Sequence, residues 1–152
     1  MKRISCNNQF KNKTGDGLIP GKIHTIRSNY EYWKKFEGKE LALFSWEGKA
    51  YQKGSTQNIF CVKKLIYVQP VWFAKRKCKI SIPLFFINEN DFNNYPLSIT
   101  NIIDIKTISE NDGFEKWDYF RDWFWSYPNG KMAILHFTDF KYRGGLYDIK
   151  RK

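Results

Sequence analysis

The sequence has no long apolar run, and no stretch approaches the ~18 residues that a membrane-spanning helix needs. Its opening segment, MKRISCNNQF, is charged and polar and lacks the apolar centre of a signal peptide. These two absences predict a protein that has no membrane partner.

Residues that commonly bind metals or form disulfides are scarce. The chain has two histidines and three cysteines, and Cys6, Cys61 and Cys78 form no CxxC pair. An odd number of cysteines at these spacings fits neither a disulfide framework nor a zinc site. We therefore expect free thiols, a cytoplasmic location, and neither a metal nor any other cofactor.

The length and composition fit one folded domain. The chain has 152 residues, of which 42% are hydrophobic, and one domain typically has about 100–200 residues. No internal repeat and no low-complexity linker divides it. We therefore predict a single domain over residues 1–152, and the sequence favours no particular oligomeric state.

Basic and aromatic residues are both in excess. Lysine and arginine number 26 against 15 acidic residues, the net charge is +11, and aromatic residues make up 18%. A positively charged protein attracts polyanions, and surplus rings offer faces on which unpaired bases stack. The combination favours RNA or a modified nucleotide as the partner. The alternative is a basic protein whose lysines only keep it soluble.

Alternating and β-branched patterns predict a chain made mostly of strands. We predict strands at residues 22–27, 40–46, 58–73, 79–88, 98–108 and 131–140. Pro70 predicts a break, and Pro83 predicts an edge or bulged strand. With a short helix at 29–36 and one main helix in the C-terminal half, the fold class is α+β, as a small mixed β-barrel with short flanking helices.

The main helix is predicted at residues 112–127. Asp112, followed three residues later by Glu115, fits an N-terminal capping box. An aromatic stripe of helical period follows, and we expect it to belong to the core rather than to a ligand site. Its members are Phe114, Trp117, Phe120, Trp123 and Phe124.

The segment PGKIHTIR, residues 20–27, concentrates polar side chains in a short predicted strand. In an unbroken strand, Lys22 and Thr25 point to opposite faces. A turn at Pro20 and Gly21 would bring both side chains to one face. The alternative is an ordinary strand with its polar side chains in solvent. We expect His24 to be a structural or rim residue, since nothing in the sequence marks it as a base.

The run Gly21-Lys22-x-x-Thr25-x-Arg27 resembles the ASCH family, whose members have the PUA-like superfold. The block at 109–128, followed by a strand at 132–140, resembles the second landmark of that family. The resemblance covers about two-thirds of the chain. It is weak from residue 55 to 94, which we interpret as an insertion.

The resemblance implies a cleft that binds RNA or a modified nucleotide and is lined by Lys22, Thr25 and Arg27. One subgroup, the bacterial acetylcytidine amidohydrolases, uses a lysine, a threonine and a glutamate, which fall on Lys22, Thr25 and Asp112. In that chemistry the threonine attacks, the lysine takes its proton, and the carboxylate orients the lysine or protonates the leaving amine. Asp112 is one methylene shorter than glutamate, so an amidohydrolase acting on an acylated nucleobase is the second hypothesis.

A second basic and aromatic segment spans residues 72–79. It suits phosphate contacts beside base stacking, or it is a solvated hairpin turn. Its predicted nucleic-acid-binding residues are Trp72, Lys75, Arg76, Lys77 and Lys79. A basic tail at 141–152 extends the charge, and a third hypothesis is a protein-interaction module that uses this basic, aromatic face.

Overall fold

The computed structural model describes residues 1–76, 82–95 and 102–143. Its strands are β1 (Lys2–Ser5), β2 (His24–Ser28), β3 (Glu40–Glu47), β4 (Thr56–Lys64), β5 (Tyr67–Arg76), β6 (Ile82–Phe86) and β7 (Gly130–His136). Its helices are a short 3-10 turn (Asn8–Phe10), α1 (Tyr30–Lys34), α2 (Glu89–Asn94), α3 (Ile105–Asn111) and α4 (Trp117–Phe124). No helix in the described ranges is long and apolar enough to cross a membrane.

The strands form two sheets, with the orders β1-β3-β4 and β2-β7-β5-β6. Strands β1 and β3 are parallel, and the other pairs are antiparallel. The predicted α+β class is therefore confirmed. A closed barrel is not found in the described ranges, because β1 and β4 stay at the edges of one sheet and β2 and β6 at the edges of the other.

The chain crosses from the first sheet to the second at Leu65 and Ile66. The Leu65 N–H donates to the carbonyl of Lys39, next to β3, at 2.9 Å. The Ile66 N–H donates to the carbonyl of His136 in β7, also at 2.9 Å. The strand predicted at 58–73 is therefore divided here, between β4 and β5.

Pro70 does not break a strand, which corrects the prediction. It lies inside β5 and pairs with Ala133 of β7, while the pairing of β5 with β6 begins only at Trp72. At Pro70 the strand thus has a partner on one side only, a position where a sheet tolerates proline. Pro83 lies in β6, which is an edge strand as predicted.

Aromatic rings fill the core beneath the four-stranded sheet. Phe85 of β6 contacts Phe120 and Phe124 of α4, with ring centroids 5.7 and 5.9 Å apart. Phe114 is buried as well, so the core assignment of the aromatic stripe is confirmed for these helix-side residues. Two members of the stripe are exceptions, because 40% of Trp123 remains exposed and Trp117 is only half-buried and lies outside the core cluster.

The strand predicted at 98–108 is wrong in its second half. Helix α3 begins there, and the Asp104 carboxylate caps it by accepting from the Thr107 N–H at 3.0 Å. The alternation of Ile103 and Ile105 covers too few residues to determine a strand. The N-terminal cap favours the helix instead, because it supplies a hydrogen-bond acceptor for an N–H of the first turn that has no partner within the helix. Residues 98–101 lie outside the described ranges.

Asp112 is not the N-cap of the main helix, which corrects the capping-box prediction. It is the C-cap of α3, and α4 begins after Lys116, whose side chain makes no capping hydrogen bond. Gly113 follows with φ +90°, a conformation that glycine adopts at helix ends without strain. The chain therefore turns at residues 112–113 instead of starting a helix there.

The segment at 55–94 contributes β4, β5, β6 and α2. Strand β5 pairs with both β7 and β6, so the segment is built into the sheets. Its status as an insertion relative to the ASCH family stays a prediction.

Candidate functional site

A tight turn precedes β2 and fixes the direction of Lys22. The Lys22 N–H donates to the carbonyl of Ile19 at 3.3 Å, which closes a turn over Pro20 and Gly21. Gly21 has φ +88°, and proline followed by a residue of positive φ is typical of a type II turn. The turn considered at Pro20 and Gly21 is thus present. Lys22 and Thr25 line the same small cavity.

The ammonium group of Lys22 is enclosed and fully hydrogen-bonded. The side chain is 1% exposed, and Nζ lies 3.0 Å from Asp112 Oδ1. It also donates to the carbonyls of Asp112 at 2.6 Å and His24 at 3.0 Å. An ammonium group has three protons, so each has an acceptor, and the Phe10 ring lies 4.2 Å from Nζ.

Gly113 makes room for this buried pair. A Cβ atom at position 113 would lie 3.0 Å from Cβ and Cδ of Lys22. The stem of Lys22 therefore packs against the backbone at the end of α3, which places the charged tip beside Asp112. The C-cap of α3 and the turn before β2 are held together by this contact.

Further polar groups continue the enclosed network behind β2. Asn111 Nδ2 donates to the hydroxyl of Tyr142 at 3.0 Å, and that hydroxyl lies 2.6 Å from Nε2 of His24. Gln69 donates to the Tyr142 carbonyl at 2.7 Å, and its Oε1 lies 2.9 Å from His136 Nε2. We call these buried residues the buried polar cluster: Lys22, His24, Gln69, Asn111, Asp112, His136 and Tyr142.

Both histidines of the chain are in this cluster, and burial keeps both neutral. Burial lowers the pKa of His136 to about 2, with a smaller contribution from nearby His24. Burial also lowers the pKa of His24, and the Asp112 carboxylate, 3.6 Å from Nδ1, only partly opposes this. Neither ring is therefore a general base that a ligand in solvent would reach.

Arg27 lies at the boundary between the interior and an open groove. Its guanidinium donates to Thr25 Oγ1 at 2.8 Å and to the carbonyls of Ile26 at 3.0 Å and Ser5 at 2.6 Å. A guanidinium group has five N–H donors. Two therefore remain without a partner among the described residues, and the side chain is held in place by the other three.

The cavity that Lys22, Thr25 and Arg27 share is small. Its volume is about 10 Å³, and Ile4, Leu43 and Phe137 complete its lining, together with Ser5 and Cys6. That volume holds about one water molecule. The predicted cleft is thus too narrow for a base at this depth, and the space for a ligand begins outside it.

A groove of about 390 Å³ opens next to this cavity. The two share Ser5, Cys6 and Arg27, so the groove begins where the cavity ends. Volumes of about 300–1,000 Å³ are typical of small-molecule sites. We call this space the Arg27 groove; its other lining residues are Asn7, Asn8, Ser45, Trp46, Gly48, Ala50 and Trp123.

Ser45 lines the Arg27 groove, and its hydroxyl is buried without a hydrogen-bond partner among the described residues. The residue is 2% exposed. Burying a hydroxyl without a partner costs free energy.

Two tryptophans line the same groove. Trp46 lies at the end of β3, and Trp123 of α4 is packed edge-on against Phe10 and Phe114, at 6.1 and 5.7 Å. Trp123 was predicted as core, but 40% of it is exposed. The position of Trp123 in the aromatic stripe did not predict this exposure, because the exposure of Trp123 depends on how the 3-10 turn packs beside α4.

The described side chains of the second predicted binding segment, Trp72 and Lys75, do not line this groove. Trp72 and Lys75 lie on β5, where Trp72 is 5.8 Å from the Lys131 ammonium and Lys75 is 5.9 Å from the Trp125 ring. Arg76 ends β5, and Lys77 and Lys79 lie outside the described ranges.

Sequence reasoning placed Tyr142 in the predicted basic tail, but it is buried in the cluster. A lone aromatic between Lys141 and Arg143 carried no local signal of this. Residues 144–152 of the predicted tail lie outside the described ranges. In the described ranges no group of three or more histidine, cysteine or acidic side chains is arranged to hold a metal ion.

A hollow of about 520 Å³ lies between α3 and α4, and its lining is electrostatically balanced. Lys106, Lys116 and Arg121 face Glu110, Glu115 and Asp118 there. The smaller Arg27 groove has a fixed cation and no carboxylate in its lining. For an anionic ligand the Arg27 groove is therefore the better candidate.

The chain was compared with models of protein families, with curated proteins and with solved structures, and none of the three comparisons gave a match.

Proposed function

We propose that this protein binds RNA or a modified nucleotide, with one nucleotide unit in the Arg27 groove. The observation that carries the proposal is the groove itself. Its lining combines a held guanidinium, two of whose N–H groups lack a partner among the described residues, with two tryptophan rings and a serine whose buried hydroxyl is likewise unpaired there. These groups match the phosphate or base edge, the flat face and the polar substituents of a nucleotide.

The net charge of +11 supports the same partner. A basic surface attracts a polyanion over several ångströms in a salt-dependent way. The finer fold assignment belongs to this proposal as well: the ASCH-type, PUA-like fold is supported by the Gly21-Lys22-x-x-Thr25-x-Arg27 run at the turn beside the groove.

The proposal is tested by titrating the protein with a short single-stranded RNA and with nucleoside 5′-monophosphates. Arg27→Gln should weaken binding of both by about 10- to 100-fold, since hydrogen bonds to a charged group are lost. Arg121→Gln is the matched control, because it removes the same charge from α4, outside the groove. Equal affinities for the two variants would refute the proposal.

Salt dependence separates RNA from other partners. RNA affinity should fall steeply as salt rises, because phosphate contacts release counterions. A flat salt response with retained nucleotide binding would restrict the ligand to a nucleoside or free base. Binding of an acidic protein in place of RNA, unaffected by Arg27→Gln, would favour the interaction-module hypothesis.

Hydrolysis of an acylated nucleobase is the second candidate function, favoured by one observation: Lys22 and Thr25 line a common cavity. Lys22 is a poor base in this arrangement, because its three protons are held by Asp112 and by two carbonyls. Arg27 donates to the Thr25 hydroxyl oxygen, which would stabilise an alkoxide there. Turnover of acetylcytidine that disappears in Thr25→Ala, with binding retained, would establish it; no turnover by the unaltered protein would end it.

A further inference from the structure

We propose that the hairpin between β3 and β4 extends the Arg27 groove, so that the ligand is a single nucleic-acid strand in which the next base stacks on Tyr51. This inference rests on the proposed function, because it adds a second position to the same site. The hairpin comprises residues 48–55, GKAYQKGS.

The hairpin forms one wall of the groove and carries an exposed ring. Gly48 and Ala50 line the groove together with Trp46. The Tyr51 ring lies next to Trp46, with centroids 5.0 Å apart, yet Tyr51 is 86% exposed. A base that leaves the groove past Trp46 therefore meets a second aromatic face that solvent already reaches.

The backbone of Tyr51 has a strained, left-handed conformation. The Gln52 N–H donates to the Lys49 carbonyl at 3.3 Å, and Tyr51 has φ +61° in this turn. A positive φ at that place in a turn is normally supplied by glycine or asparagine. Strained residues cluster at functional sites, and here the strain presents an aromatic side chain to solvent.

Two lysines lie two residues before and two residues after Tyr51 in the sequence. Their positive charges complement the negative charges of a phosphate backbone. Lys49 and Lys53 are both exposed, and neither has an ion-pair partner among the described residues. The hairpin from 48 to 55 contains no acidic residue, although Glu47 ends β3 beside it. Free cations beside a stacking ring are the arrangement of non-specific single-strand binding sites.

Tyr51→Gly is a sharp test, because glycine suits the positive φ and should leave the fold intact or more stable. Binding is measured by fluorescence anisotropy with labelled RNA and DNA strands of about eight nucleotides, and by calorimetry with nucleoside 5′-monophosphates. Loss of the ring should lower strand affinity on the order of 5- to 100-fold and leave monophosphate affinity unchanged. Tyr119→Ala, which removes an exposed tyrosine from α4, should change neither.

The two lysines give an independent readout. The double variant Lys49→Gln and Lys53→Gln should reduce the slope of log affinity against log salt by about 1.4, the value for two phosphate contacts on a single strand. An unchanged slope would overturn the assignment of the phosphates to this hairpin. Parallel RNA and DNA titrations show whether the ribose hydroxyl is recognised, and binding of either strand supports the inference.

Failure of this inference is distinguishable from failure of the proposed function. If Tyr51→Gly binds strands normally while Arg27→Gln weakens strands and monophosphates, the hairpin is not a subsite and the groove stands. If Tyr51→Gly weakens monophosphate binding equally, the ring belongs to the groove itself and the strand proposal is overturned. If Arg27→Gln changes nothing but Tyr51→Gly weakens strand binding, the groove proposal fails, and the hairpin binds a strand by itself rather than as an extension of the groove, which overturns the inference as stated.

Discussion

Strand β2 contributes to two polar regions that use their hydrogen bonds differently. His24 belongs to the buried polar cluster, where side chains hydrogen-bond to one another inside the protein, although Nδ1 of both histidines and Oδ1 of Asn111 have no hydrogen-bond partner among the described residues. Arg27, three residues later, borders the Arg27 groove, where two N–H groups and the Ser45 hydroxyl lack partners among the described residues. The two regions therefore differ in access: the polar groups of the cluster lie in a closed interior, whereas the unpaired N–H groups of Arg27 border open space and are available to a ligand.

The difference assigns Lys22 and Arg27 to separate roles, although both were predicted to line one cleft. Lys22 holds the end of α3 to the turn before β2. Arg27 is the cation that a ligand in the Arg27 groove would reach. The contrast can be tested by asking which substitutions change stability and which change affinity.

The largest effect is expected from Lys22→Met. This substitution leaves the Asp112 carboxylate buried without its cation, and it should lower the free energy of unfolding by about 3–5 kcal/mol. Urea denaturation followed by tryptophan fluorescence measures the change. Glu31→Gln, at an exposed pair with Lys131, is the control and should cost less than about 1 kcal/mol.

A second variant keeps this prediction testable if Lys22→Met does not fold. Replacing both partners, as in Lys22→Met with Asp112→Leu, removes the unpaired charge and should recover most of the lost stability. Stability of Lys22→Met within about 0.5 kcal/mol of the unaltered protein would show that the pair is not enclosed, and the contrast between the two regions would then fail.

The pH dependence of stability gives the second-largest effect. His24 and His136 have lowered pKa values in the folded protein, so the unfolded chain binds protons first as the pH falls below about 6.5. Stability is therefore fully present above that pH and decreases below it, by at most about 1.4 kcal/mol per pH unit for each histidine. The window from about pH 6.5 to 5 isolates this effect, because carboxylates titrate lower.

Urea titrations at several pH values in this window measure the slope. His136→Gln, which removes one of the two groups, should roughly halve it. Around His136 the relevant neighbours are His24, Gln69, Tyr142, Tyr67 and Lys141. A flat profile between pH 6.5 and 5 would mean that the histidines are accessible, and the cluster would no longer differ from the groove.

Much of the fold was predictable where a pattern is local. The strands at His24–Ser28, Glu40–Glu47 and Gly130–His136 were predicted from short runs bounded by turn residues. The turn at Gly21 follows from proline before glycine. Helix α3 was missed because its signal is a single capping side chain, Asp104, within an isoleucine-rich stretch that also fits a strand.

The candidate site was predictable only in part. Arg27 and Thr25 carry a motif, and the kink that directs Lys22 inward follows from its neighbours in sequence. Ser45 and Trp123 belong to β3 and α4, and they meet at the groove only through tertiary packing. No local pattern specifies contacts between residues so far apart in the chain, so these two could not be found.

The smallest effect is expected from Ser45→Ala. This variant also gives the finest distinction between the Arg27 groove and the buried polar cluster. The Ser45 hydroxyl is buried without a partner, so its removal should leave the free energy of unfolding unchanged or raise it by up to about 1 kcal/mol. If a nucleotide supplies the missing hydrogen bond, the same substitution should weaken nucleotide binding by several-fold, consistent with about 1 kcal/mol for a neutral bond.

Removal of a hydroxyl from the buried polar cluster should act in the opposite sense. Tyr142→Phe leaves Asn111 Nδ2 and His24 Nε2 unpaired and should lower the free energy of unfolding without changing nucleotide affinity. Denaturation and calorimetric titration of both variants decide the matter, because a Ser45→Ala protein that loses stability and keeps its affinity would place Ser45 with the structural groups rather than with the site.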